Sequence, residues 1–174
     1  KKEINNLLKA AVRDWDVYAP KKNLGGDVLF SKFSKDDKGL DEALGNIALG
    51  DVDVVISAKE IFFPQLETMF EFDKDKVNEV VDSSSKLLFG VKSCDLKGML
   101  FADEFFKRNF EDKYYLSRAQ NRLVVVIGCI NPPRESCFCT SAGTGPFAKE
   151  GFDLQFIDNN EAYFVEIGTQ KGRE

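Results

Sequence analysis

Apolar residues open the chain at helical spacing. Ile4, Leu7, Leu8, Ala11 and Val12 share one face of a repeat of about 3.6 residues, which predicts a helix over residues 3–14. The period then shortens. Residues 16–20 read as a strand closed by Pro20, residues 23–27 as a glycine-bearing turn, and residues 28–33 as the returning strand of a hairpin. A solvated loop at 34–39 and a weakly helical or irregular stretch at 40–50 follow. Ser57 and Glu60 have the spacing of a capping box, predicting a helix that carries Phe62, Phe63, Leu66, Met69 and Phe70 on one face, with Pro64 in its first turns. Residues 73–85 are polar, a surface stretch and the best candidate for a linker.

The second half alternates element types. Residues 86–91 predict a strand, and residues 95–107 an amphipathic helix built on Leu96, Met99, Leu100 and Phe106. A shorter helix at 114–119 leads to residues 123–128, a continuous apolar run that reads as a strand buried on both faces. Two such strands joined through helices predict a parallel β-α-β unit. Residues 152–158 and 162–167 flank Asn159-Asn160 as an antiparallel hairpin. The expected fold class is α/β: a central mixed, partly parallel sheet flanked by helices, with peripheral β-hairpins, in one domain over residues 1–174.

Composition fits a globular chain with a core: 43% hydrophobic and 30% charged residues, with 16 phenylalanines that also allow an apolar surface for a partner. The net charge of −5 comes with no basic block of the kind that binds nucleic acid. No apolar run reaches membrane-spanning length, and no signal-peptide core follows the first residues, so a cytoplasmic setting without membrane insertion is expected. The chain begins without methionine and is read as part of a longer protein.

The chemistry concentrates in four cysteines, Cys94, Cys129, Cys137 and Cys139, in a chain without histidine. Thiolates ligate soft metals, and four of them suit a tetrahedral zinc or an iron–sulfur cluster. With no imidazole available, such a site is wholly or mostly sulfur. A redox thiol pair and four unrelated buried cysteines are the competing readings. Two disulfides are disfavoured in an intracellular chain of this size. Cys94 and Cys129 each follow a predicted strand. If those strands are parallel neighbours, both emerge at the carboxyl edge, where α/β sheets gather ligands, and the loop after Cys129 brings Cys137 and Cys139.

Other constellations have plainer readings. Asp95 suits a helix N-cap, and a thiolate at Cys94 just before that helix would gain from its dipole. The stretch from Ser141 to Pro146 contains Gly143 and Gly145, which allow backbone to approach a cofactor closely, or simply make a flexible connector. It matches neither dinucleotide nor phosphate-loop spacing. Arg118, with Tyr114 and Tyr115, is read either as packing and surface charge or as a cation near an anionic cofactor. Without histidine, serine and cysteine triads built on imidazole are excluded.

Several blocks in this order carry a family resemblance: Val17-Tyr18-Ala19-Pro20, Glu60-Ile61-Phe62-Phe63-Pro64-Gln65, Phe89-Gly90-Val91-Lys92-Ser93-Cys94-Asp95, Asp112-Lys113-Tyr114-Tyr115 with Arg118, Gly128-Cys129, and Cys137-Phe138-Cys139-Thr140-Ser141 with Gly143, Gly145 and Pro146. The chain resembles the β-subunit family of sulfhydrogenase-type nickel–iron hydrogenases and the iron–sulfur electron-transfer component of anaerobic sulfite reductase. Ser93 stands where that family usually has proline. The resemblance implies an iron–sulfur electron-transfer subunit of an anaerobic oxidoreductase, partnered by a flavoprotein NAD(P)-binding subunit, with further subunits in the complex. It also implies a ferredoxin-like region beyond this N-terminal domain. Four matched cysteines suggest a [4Fe-4S] cluster, and electron transfer fits the missing histidines. The alternative is a non-catalytic assembly module with structural zinc or free thiols.

Overall fold

The computed structural model describes residues 2–37, 39–49 and 53–174. Residues 38 and 50, within the loop and the irregular stretch expected at 34–39 and 40–50, lie outside the described residues. Nine strands and five helices are assigned among the described residues. In chain order they are α1 (Lys2–Ala11), β1 (Asp16–Lys22), β2 (Val28–Phe33), α2 (Leu40–Gly45), β3 (Val54–Ile56), β4 (Phe70–Asp73), β5 (Lys76–Glu79), β6 (Lys86–Val91), α3 (Ser93–Arg108), α4 (Lys113–Gln120), β7 (Arg122–Ile127), β8 (Leu154–Asp158), β9 (Tyr163–Ile167) and α5 (Gln170–Arg173).

Seven strands form one sheet in the order β3-β2-β1-β6-β7-β8-β9. The run β1-β6-β7-β8 is parallel, and β2 and β9 are antiparallel to their inner neighbours. Each face carries its own core. On one side Leu87, Phe89, Val125 and Ile127 pack with Ile4 and Leu8 of α1 and Leu44 of α2. On the other, Leu88, Val91, Val124 and Val126 pack with Leu96 and Met99 of α3 and Tyr115 of α4. The sheet is thus covered on both faces, as the continuous apolar runs of β6 and β7 require. The mixed sheet, its flanking helices and the β8–β9 hairpin match the expected α/β class. No helix among the described residues is long and apolar enough to cross a membrane.

Gly90 interrupts the alternation of β6. It has φ +88° and sits at a register shift, Phe89 pairing with Val125 and Val91 with Val126. The extra residue turns Val91 onto the same face as Leu88. Gly90 also admits a neighbour, since a side chain there would meet the Pro20 ring at 3.0–3.1 Å. This explains why β1 continues through Pro20 instead of ending there. Its pairing with β6 covers only Asp16–Tyr18, so Pro20 lies beyond the shared ladder.

Between residues 54 and 85 the structure departs from the pattern. Ser57 does cap a helical turn, its Oγ accepting from the Lys59 N–H, but the turn is a single 3-10 segment at Ala58–Ile61 that stops before Pro64. Phe70 belongs to no helix. It opens β4, where Phe70 and Phe72 alternate with acidic residues, and β4 pairs with β5 as a separate exposed hairpin. Residues 73–85 are therefore partly strand and lead directly into β6. The short edge strand β3 has no counterpart in the hydrophobic pattern. Leu7, expected on the buried face of α1, is 44% exposed.

Candidate metal centre

The cysteines are positioned by the carboxyl ends of β6 and β7. After the Gly90 bulge, β6 gives way to α3 with Lys92 as its N-cap, and no side chain caps the helix. Cys94 therefore lies inside the first turn, exposed, and not just before it. Asp95 is not the cap either: its carboxylate accepts a 2.8 Å bond from Ser57 Oγ, which ties the 3-10 turn to α3. The Cys94 thiol is pushed upward, chiefly by burial and then by the Asp95 charge, with Cys129 and Cys139 adding to the rise; the Asp95 N–H opposes it. The favourable end of the helix dipole does not prevail. The mutual influence of Cys94, Cys129 and Cys139 places these three sulfurs within electrostatic reach of one another.

Cys129 follows β7. Gly128 N–H continues the ladder to the Phe156 carbonyl at 2.9 Å, and Cys129 N–H turns to the Pro146 carbonyl at 3.3 Å. The crossover from β7 to the parallel strand β8 contains no assigned helix or strand. It is held by tight turns instead: Cys137 N–H to Arg134 O at 3.1 Å, Ala142 N–H to Phe138 O at 3.0 Å and Thr144 N–H to Cys139 O at 2.8 Å. These turns bring Gly145 back against Cys139. A side chain on Gly145 would stand 3.1 Å from Cys139 Sγ and 2.6 Å from Ser93 Oγ. Ser93 Oγ donates to the Pro146 carbonyl at 3.0 Å.

The ends of β6 and β7 and the Cys139 turn thus share one patch of backbone, with Cys137 two residues away and exposed. The donor set is all sulfur, as the absence of histidine requires, and Gly145 leaves the Cys139 sulfur room that a larger residue would take. On these grounds the residues fit a sulfur-ligated group. Among the described residues, no group of three or more cysteine, aspartate or glutamate side chains is disposed to hold a single metal ion.

Gly143 and Arg118 serve other contacts. Gly143, at φ +65°, forms a turn with its N–H to Thr140 O at 3.2 Å and has no atom near its missing Cβ. Arg118 is buried on α4; its Nε donates to Phe62 O at 2.8 Å and its guanidinium pairs with Glu67. Those bonds fasten the segment after the 3-10 turn onto α4. Nothing in the sequence pattern assigns a contact to Ser93 or Pro146. The one signal is that Ser93 occupies a position where the resembling family has proline.

The chain is 34% identical over 132 residues to the protein named Sulfhydrogenase 2 subunit beta of Pyrococcus furiosus. The chain belongs to the hydrogenase β-subunit family. The match covers 76% of this chain but 39% of the relative, so the chain spans about two fifths of that protein's length. No family model matches, and no solved structure matches.

Proposed function

We propose that this chain is the part of a hydrogenase-type redox subunit that carries electrons, and that Cys94, Cys129, Cys137 and Cys139 hold an iron–sulfur cluster at the carboxyl edge of β6 and β7. The observation that carries this reading is the convergence of cysteines from two strand ends and one crossover loop around Gly145 and the Pro146 carbonyl. Such a cluster would supply one-electron transfer, its potential set by burial and by hydrogen bonds to sulfur. The raised Cys94 thiol holds its proton in the metal-free chain, so loading there releases a proton. Membership of a β-subunit family supports partner subunits in one complex, with a flavoprotein that uses NAD(P) as the proposed electron donor or acceptor.

The test is anaerobic purification and reconstitution of the chain, followed by iron and acid-labile sulfide analysis and the visible spectrum. About four irons and four sulfides per chain, with broad brown absorbance, is the expected result. Loss of that absorbance in Cys137→Ser/Cys139→Ser, with folding retained, assigns the ligands. A colourless chain with one zinc would replace the cluster with a structural site. No metal after reconstitution would overturn both.

A further inference from the structure

We propose that Ser93 is a positioning residue: through the Pro146 carbonyl, its hydroxyl latches the cysteine-bearing crossover onto the strand edge. A buried serine at a helix start ordinarily caps that helix. Ser93 is 4% exposed and sits in the first turn of α3, yet the helix has no side-chain cap. Its hydroxyl reaches 53 residues along the chain to Pro146 O. That carbonyl also receives the Cys129 N–H. A carbonyl oxygen has two lone pairs, and these two donors engage it from two strand ends.

Gly145 completes the latch. With no Cβ, it lets the backbone preceding Pro146 lie against both Ser93 Oγ and Cys139 Sγ. One peptide segment therefore contacts the residue before Cys94, the amide of Cys129 and the sulfur of Cys139. Without the Ser93 hydroxyl, the segment keeps only the 3.3 Å bond from Cys129, and the turn holding Cys139 opens more often. The latch operates in the metal-free chain; only its consequence for loading rests on the proposed cluster.

The experiment measures alkylation of each cysteine in the reduced, metal-free full chain by mass spectrometry, with native folding checked by urea unfolding. Ser93→Ala should raise the Cys139 rate about fivefold, the effect of one lost hydrogen bond on local opening. Gly145→Ala should raise it as well, by wedging Ser93 and Cys139 apart. Ser93→Thr, which keeps the hydroxyl, should restore the wild-type rate. A Ser93→Ala rate within about twofold of wild type overturns the latch. Reconstitution with iron and sulfide separates the two ideas. If wild type takes up no iron but Ser93→Ala still exposes Cys139, the latch stands and the cluster reading fails. If wild type loads and Ser93→Ala matches it in both loading and alkylation, the latch fails and the cluster reading stands.

Discussion

Replacing Asp103 by alanine should be among the most damaging single changes in this domain. Asp103 lies on α3 and is 8% exposed. Its carboxylate accepts the Tyr115 hydroxyl at 2.8 Å and Arg122 Nη1 at 2.9 Å, and it pairs with Arg122 Nη2 on its second oxygen. The two side chains of the ion pair are only 14% and 12% exposed, so water cannot replace the lost partner well. Removing one member of a buried pair costs about 3–5 kcal/mol, mostly the penalty of an uncompensated charge. That is a large share of the roughly 5–15 kcal/mol that holds a domain together. Asp103→Leu with Arg122→Met removes both charges, and the methionine keeps a sulfur contact with Phe62, over whose ring Arg122 now sits at 5.3 Å. The double variant should recover to within about 1–2 kcal/mol of wild type. Urea unfolding with an unchanged denaturant slope measures both. The argument is refuted if Asp103→Ala costs under about 1 kcal/mol, or if the double variant is no better than the single.

Two further outcomes follow from local geometry. Asp82 is partly buried, which alone would raise its pKa, but bonds from Lys86 and Ser84 prevail and hold it down at about 2 against an ordinary 3.8. A depressed carboxylate contributes stability above its unfolded pKa and loses it as pH falls through its folded one. Wild type should therefore lose stability between about pH 4 and pH 2 more steeply than Asp82→Asn, as read by urea midpoints across that range; equal slopes would refute the assignment. Gly90→Ala imposes φ +88° on an L-residue and sets its Cβ 3.0 Å from Pro20. A cost of about 2 kcal/mol, seen as a melting temperature about 4–8 °C lower, is expected, and an unchanged melt would refute it.

Much of the sheet is legible because burial on both faces leaves a continuous apolar run, and residues 86–91 and 123–128 have one. Their parallel pairing follows from the helical spacing between them, and with it the shared edge of Cys94 and Cys129. The segment after Ser57 misleads because a capping serine and a row of phenylalanines outweigh Pro64. The Phe70-Glu71-Phe72 alternation is the better signal, and its period is that of a strand. The start of α3 misleads because Asp95 has the chemistry of a cap, while backbone geometry after the Gly90 bulge begins the helix at Ser93. The contacts around Pro146 have no local signature at all. They join residues 53 apart in sequence, and only the folded sheet brings those residues together.

The division of the four thiols between two kinds of backbone bears on how the proposed centre assembles. Cys94 and Cys129 closely follow strands with buried side chains on both faces, so the core fixes their positions as it forms. Cys137 and Cys139 lie in a crossover where a parallel connection ordinarily has a helix. A helix would have buried an apolar stripe against the sheet and stabilised itself; this loop has only turn hydrogen bonds and the contacts at Gly145 and Pro146 to offset its ordering entropy. Half the site is therefore set by folding, while the other half depends on local bonds worth about 1 kcal/mol each. A group binding all four sulfurs would stabilise the loop far more than the scaffold. Loading should therefore slow amide hydrogen exchange at residues 134–146 strongly and leave β6 and β7 nearly unchanged, because ligand binding protects most where the free chain is least ordered. Equal protection in both regions would mean that the loop was already as rigid as the sheet, and that the Pro146 contacts contribute more than their hydrogen-bond geometry suggests.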